Sequence, residues 1–204
     1  MTYFIFCNNI PQNDIYTEEE IKYLFKLLDE EVELFHIHRV EIKFALTGGF
    51  RRGELIAIDE SDLSFETNEV RIDESLQYTK KYGYRFKEPK SKSNRTISLP
   101  VEIMKEAAIL LREVKKNRLM LGELWEGCPG DKDKLLLFGG DRGKPLYPTS
   151  LNTWWERFTK RHDIKRIRLH DMRHTHATML INQIGKIPGF NIKTFGTRKC
   201  KNNT

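Results

Sequence analysis

Between Thr17 and Ile181 the apolar residues of this chain change their spacing twice, and that change limits the folds open to it. Thr17 followed by Glu20 is a capping-box start, and Ile21, Leu24, Phe25 and Leu28 then recur at helical spacing. A second helical stretch runs from Val32 to Leu46 and ends at Gly48-Gly49, and a short third runs from Arg51 to Ile58. The period then drops to two. Val70 and Ile72 alternate with polar residues, as do Thr96, Ile97, Ser98 and Leu99, and Gly83 with a Lys/Ser/Asn cluster supplies turns between them. The pattern predicts a small antiparallel sheet of about three strands. After Pro100, which is suited to start a helix, Ile103, Ala107, Leu110, Leu111 and Val114 restore the helical period to about Leu119. Gly122 to Lys134 reads as a loop and Leu135 to Phe138 as a short buried segment. Thr149 is expected to cap a helix containing Trp154, Trp155 and Phe158, and a last helix is expected from Leu169 to about Ile181. The fold class is therefore α+β, mainly helical with one small three-stranded antiparallel sheet.

The chain has 204 residues, 39% of them hydrophobic, which suffices for one core and excludes disorder along its whole length. No apolar run approaches the roughly 18 residues that span a bilayer, and the N-terminus lacks a basic-then-apolar leader, so no membrane partner is expected. Cys7, Cys128 and Cys200 are too few and too scattered for a disulfide framework or a four-ligand zinc site, which fits a reducing cytoplasm. The charge is uneven. Of the net +6, the stretch from Arg161 onward holds ten Lys and Arg against only Asp163 and Asp171. A second concentration, KKYGYRFKEPKSKSNR from Lys80 to Arg95, sets seven cations against Glu88. Cations packed so densely repel unless a polyanion neutralises them, and nucleic-acid phosphates are the commonest such partner; the alternative is a solvated loop.

The last predicted helix reads IRLHDMRHTHATMLI. His170 and Arg173, three apart and so about 60° from one another, share one face, while Leu169, Met172, His176 and Met179 line another. One face can pack while the other offers an imidazole and a guanidinium fork that holds two phosphate oxygens. His170, His174 and His176 could suggest a metal site, but their spacings of four and two are read as diverging and no carboxylate or cysteine pattern completes a ligand set. No metal and no cofactor is expected, and a metal-dependent hydrolase is the weakest reading.

ALTGGFRRGELIAI at 45–58, EPKSKSNRTISLP at 88–100 and LHDMRHTHAT at 169–178 together resemble the catalytic domain of the tyrosine recombinase (phage integrase) family, motif by motif and in order, over roughly residues 17 to 181. The resemblance implies that Arg51 and Arg173 grip the non-bridging oxygens of a scissile phosphate, where a pentacoordinate transition state gathers negative charge. It implies that Lys90, near a hairpin tip, protonates the departing 5′ oxygen, with Lys92 as the substitute, and that His170 is an acid/base or phosphate donor. Glu54 is read as a support for Arg51, and Lys87, Lys92 and Arg95 as DNA-binding cations. Double-stranded DNA and other recombinase protomers are the implied partners, and a cytoplasmic protein of bacterial or phage origin the implied setting.

The sequence departs from the family in one decisive respect. A nucleophilic tyrosine is expected some tens of residues beyond H-x-x-R, yet Tyr3, Tyr16, Tyr23, Tyr78, Tyr82, Tyr84 and Tyr147 all precede His170. The family's L-G-H box is missing too. From Asn182 onward the sequence is basic, glycine-rich and without apolar period. With freely chosen third bases, codons for Thr194 to Asn203 read one base later spell RLGHANVKT, which contains that box. A frameshift between about Leu180 and Thr194 would explain both losses. The expected organisation is a leader or linker remnant over 1–16, an incomplete catalytic domain over 17–181 and an irregular tail over 182–204. The expected function is a DNA-binding remnant of a recombinase, inactive for want of the tyrosine. The alternative is a noncatalytic module that occupies or blocks recombination sites.

Overall fold

The computed structural model describes residues 15–31, 36–88 and 94–185, with side chains up to residue 182. Helix α1 (Glu18–Asp29) starts at the expected capping box: Thr17 Oγ1 accepts from the Glu20 amide at 3.2 Å, and Glu20 Oε2 accepts from the Thr17 amide at 2.7 Å. Its buried stripe, Leu24, Leu27 and Leu28, packs toward α2 (His36–Gly48). Helix α2 is the centre of the domain, since every residue from Val40 to Leu46 is buried. A helix buried on all sides must satisfy its polar groups internally. Lys43, 3% exposed, therefore lies 2.5 Å from both Asp29 and Glu106. His38 bonds Glu41 through Nδ1 at 2.6 Å and meets Ser150 Oγ through Nε2 at 3.2 Å, which ties α2 to α5 (Ser150–Arg161).

The short helical stretch after Gly49 is only α3 (Arg52–Leu55), because the chain then extends into a bridge between Asp59 and Leu136. Strands β1 (Leu63–Ser64), β2 (Glu69–Ile72) and β5 (Arg95–Ser98) form the three-stranded antiparallel sheet in the order β1-β2-β5, with Val70 opposite both Leu63 and Ile97. Beside it stands a separate hairpin, β3 (Ser75–Thr79) with β4 (Gly83–Lys87), built from sequence in which only turn chemistry was expected. Leu76 faces Phe86 and Tyr78 faces Tyr84 across the pair, so one face of the hairpin is apolar. It packs on a loop through a Tyr78–Tyr147 ring contact at 5.4 Å and a Tyr84 hydroxyl donating to the Leu146 carbonyl at 3.3 Å.

Pro100 precedes α4 (Val101–Leu121), whose buried side carries the expected Ile103, Ala107, Leu110, Leu111 and Val114. The expected cap of α5 differs in detail: Thr149 occupies the position, but its side chain makes no capping bond. Trp154, Trp155 and Phe158 of that helix are buried, and the Trp155 indole donates to the Ile167 carbonyl at 2.9 Å. The last helix, α6 (Leu169–Gly185), packs against α2. Among the described residues no helix is long and apolar enough to cross a membrane.

Candidate phosphate-binding site

The site is built on the turn that ends α2. Gly49 has a φ of +58°, and a Cβ there would lie 2.5 Å from Cδ2 of His176 on α6. Only glycine allows both this left-handed backbone and the approach of the imidazole. The turn sends Phe50 into the core, 3% exposed and stacked on Phe44, and leaves the next side chain, Arg51, 42% exposed. Arg51 is also the N-cap of α3, and there Glu54 Oε2 accepts from its backbone amide at 2.9 Å. The close approach of Gly53 to Ser75, where a Cβ would meet Oγ at 2.5 Å, seats α3 on the base of the β3–β4 hairpin.

Glu54 gathers the cations. Its carboxylate is 2% exposed and accepts from Arg51 Nη1 at 2.7 Å, from Arg95 Nη1 at 3.2 Å and from Arg95 Nη2 at 2.5 Å. Burial opposes its charge, but the Arg95 and Arg51 hydrogen bonds outweigh burial and hold the carboxyl below the usual glutamate range. Arg173, reaching over from α6, donates through Nη1 to the carbonyl of Gly49. Burial, then the charge of Arg51, then that of Arg95 lower its pKa, against the attraction of Glu54. Two guanidinium groups thus share one carboxylate and a third stands near them, which leaves a local excess of about two positive charges at neutral pH. Such an excess in a half-buried place is relieved by an anion with several oxygens, and arginine forks fit phosphate best.

Arg51 and Arg173 are therefore brought together, 122 positions apart in sequence. Arg95 joins them, its guanidinium committed to Glu54 rather than standing as a free surface cation. His170 is exposed on α6, three residues before Arg173, and its ring meets that of His174 edge-on at 4.9 Å. Those two imidazoles share a face rather than diverging, as a spacing of four on a helix requires. His176 turns inward and meets the Leu46 carbonyl through Nδ1 at 3.1 Å; burial, and then the charge of Arg173, lower its pKa against that backbone bond. Among the described residues no three His, Cys, Asp or Glu side chains group as metal ligands would. Lys87 is exposed at the end of β4, while Lys90 and Lys92 lie outside the described residues.

One contributor, Asp171, escaped the reading of the sequence, and so did the pairing of Arg95 with Glu54. Asp171, 3% exposed, accepts from Arg168 at 2.7 and 3.1 Å and so fixes the start of α6. Burial works against its charge, but the Arg168 bonds prevail and its pKa falls below the usual value. The Arg168–Asp171 spacing of three was the available signal. Arg95 had no local signal for its bond to Glu54, since the two are 41 positions apart.

The chain matches the phage integrase family over residues 15–188 and belongs to that family. It is 24% identical over 188 residues to a tyrosine recombinase XerC-like protein of Caldanaerobacter subterraneus subsp. tengcongensis, covering 85% of this chain and 46% of that protein. Its fold is similar to that of the Tn1549 transposon integrase in complex with transposon right end DNA, with a TM-score of 0.67 at 22% identity, covering 90% of this chain and 56% of the integrase. It is also similar to the XerH site-specific recombinase bound to its difH substrate, with a TM-score of 0.61 at 22% identity, over 91% of this chain and 47% of XerH. The chain spans about half the length of these relatives.

Proposed function

We propose that the chain is the phosphate-gripping part of a site-specific tyrosine recombinase or integrase, with residues 17–181 as an incomplete catalytic domain that binds duplex DNA. The observation that carries this reading is that Arg51 and Arg95 share the buried carboxylate of Glu54 while Arg173, held by the Gly49 carbonyl, stands close enough to feel the charge of all three. In this reading Arg51 and Arg173 hold the two non-bridging oxygens of a phosphodiester, and Arg95 with Glu54 keeps Arg51 aimed. His170, on the exposed side of α6, donates to the same phosphate or relays a proton. Lys90 protonates the 5′ oxygen as it leaves, with Lys92 as the alternative, and Lys87 contacts neighbouring phosphates. In a complete reaction a tyrosine hydroxyl passes its proton to a base such as His170 as its oxygen attacks phosphorus, the bond to the 5′ oxygen breaks, and the proton from the lysine balances the leaving alkoxide.

These 204 residues hold no tyrosine after His170, so on its own the chain binds DNA and does not form the covalent link. Occupying recombination sites without cutting them is the second reading, and the same missing tyrosine favours it. Duplex binding is expected to weaken steeply between low and physiological salt, because several condensed counterions are released on contact. A flat salt dependence would argue against phosphate recognition. Nicked suicide substrates should trap no protein–DNA adduct. An adduct mapped to any of the seven tyrosines would overturn the inactive reading, and competition with an intact recombinase in strand exchange tests the blocking role.

A further inference from the structure

The β3–β4 hairpin carries a surface that a phosphate grip does not need. Its strands pair from Ser75 opposite Lys87 to Thr79 opposite Gly83, and at about 3.3 Å per residue its turn stands on the order of 15 Å from its base beside α3. At that turn Tyr82 is 52% exposed. The Arg85 guanidinium lies 4.2 Å from the Tyr82 ring centroid, and Lys81 Nζ lies 5.0 Å from it. Among the described residues, Lys80, Lys81, Arg85 and Lys87 have no carboxylate within ion-pair distance, whereas Arg71, Lys115, Arg118, Lys134, Arg142 and Lys144 all do. Unpaired cations also occur elsewhere among the described residues, as at Lys105, Arg112 and Lys160; the hairpin differs in carrying four of them beside one exposed ring.

Cations alone fit any polyanion, duplex DNA included. The ring adds a requirement. The bases of a duplex already stack on one another inside the helix, so a tyrosine at a protruding turn finds a π-face only on a base that has lost its partner. A π-face between cations is the chemistry that binds unpaired strands without regard to sequence. Anchorage of the hairpin through the Tyr78, Tyr84 and Tyr147 rings holds that face in position. We propose that Tyr82 and Arg85, flanked by Lys80, Lys81 and Lys87, form a stacking platform for unpaired nucleotides of single-stranded DNA, beside the phosphate grip at Arg51 and Arg173. The inference rests on the DNA-binding reading above and extends it to a second form of the substrate.

The test is fluorescence anisotropy with the full chain, a labelled 12-nucleotide mixed-sequence strand and the duplex of the same sequence. Tyr82→Ala should weaken single-strand binding roughly tenfold, the equivalent of one lost stacked base, and leave duplex binding within about twofold. Tyr82→Phe, which keeps the ring, should bind both like the parent. An unchanged thermal midpoint establishes that both variants fold. Unchanged single-strand affinity in Tyr82→Ala, or equal losses for strand and duplex, overturns the platform. If duplex binding then still depends on Arg51 and Arg173, only the platform fails. If the parent chain binds neither form, the DNA-binding reading fails with it.

Discussion

Glu54 is the residue whose removal most directly tests how the site is held. Its buried carboxylate makes four hydrogen bonds, two to Arg51 and two to Arg95. Truncation to alanine leaves these arginines facing Arg173 with no counter-charge. Deleting one partner of a buried ion pair costs about 3–5 kcal/mol. Here the orphaned cations are not fully buried, since Arg51 is 42% and Arg95 28% exposed, so both can turn partly to water. The cost should therefore fall to about 2–3 kcal/mol, a drop of roughly 5–10 °C in the midpoint of a domain this size. Glu54→Gln keeps an acceptor oxygen and should lose about 1–2 kcal/mol. Because the folded-state pKa of Glu54 is depressed, its contribution is present above the unfolded glutamate value of about 4.3 and disappears as pH falls through the folded one. Parent and Glu54→Gln should therefore converge in acid. Inorganic phosphate should raise the midpoint of Glu54→Ala more than that of the parent, by supplying the missing negative charge. Urea denaturation at neutral pH decides the matter: Glu54→Ala within about 0.5 kcal/mol of the parent would refute the argument that this carboxylate organises the arginines.

Three further outcomes follow from the geometry. Burial, together with the charges of Asp59 and Asp73, pushes Asp62 up to about 6 against the Asp59 amide and Arg71, so its contribution is present below the unfolded value near 3.9 and lost as pH rises through 6. The stability of the parent relative to Asp62→Asn should fall by about 2–3 kcal/mol between pH 4 and pH 7, and a pH-independent difference would contradict this. Gly49→Ala combines a left-handed backbone with the 2.5 Å approach to His176 and should cost about 2 kcal/mol or more; adding His176→Ala should relieve part of that cost, so strict additivity would exclude the clash. Burial raises the Cys128 thiol to about 11, and the residue is 1% exposed, so iodoacetamide should leave its peptide unmodified in the folded protein and label it in urea.

The helices were legible because burial imposes a period on the residues that undergo it. Leu24 and Leu28 on α1, and Ile103, Ala107, Leu110, Leu111 and Val114 on α4, are buried as their spacing requires. The β3–β4 hairpin escaped notice because its alternating Leu76, Tyr78, Tyr84 and Phe86 are embedded in a run of cations that reads first as solvated turn. Charge and strand periodicity are independent signals, and here they occupy the same residues. The pairing of Arg51 with Glu54 could be seen in a spacing of three, but the second bidentate partner, Arg95, is brought in by β5, and pairing across a sheet leaves no trace in local sequence. His176 looked like one more member of an apolar stripe, and it does pack inward, but its role under Gly49 depends on the crossing of α2 and α6.

The tie between Arg173 and the Gly49 carbonyl spans 124 positions, and the bond from the Tyr16 amide to Thr175 spans 159. Helix α6 is thus clasped to segments the chain laid down long before it, across loops whose closure entropy must be met before any contact is gained. The arginine cluster cannot exist in a partly folded molecule that has formed only its local helices. It appears when α6 docks, so whatever anion settles there also pulls the docking equilibrium toward the native state, by an amount set by its concentration relative to its dissociation constant. Ligand occupancy and the integrity of the last helix are two readings of the same equilibrium.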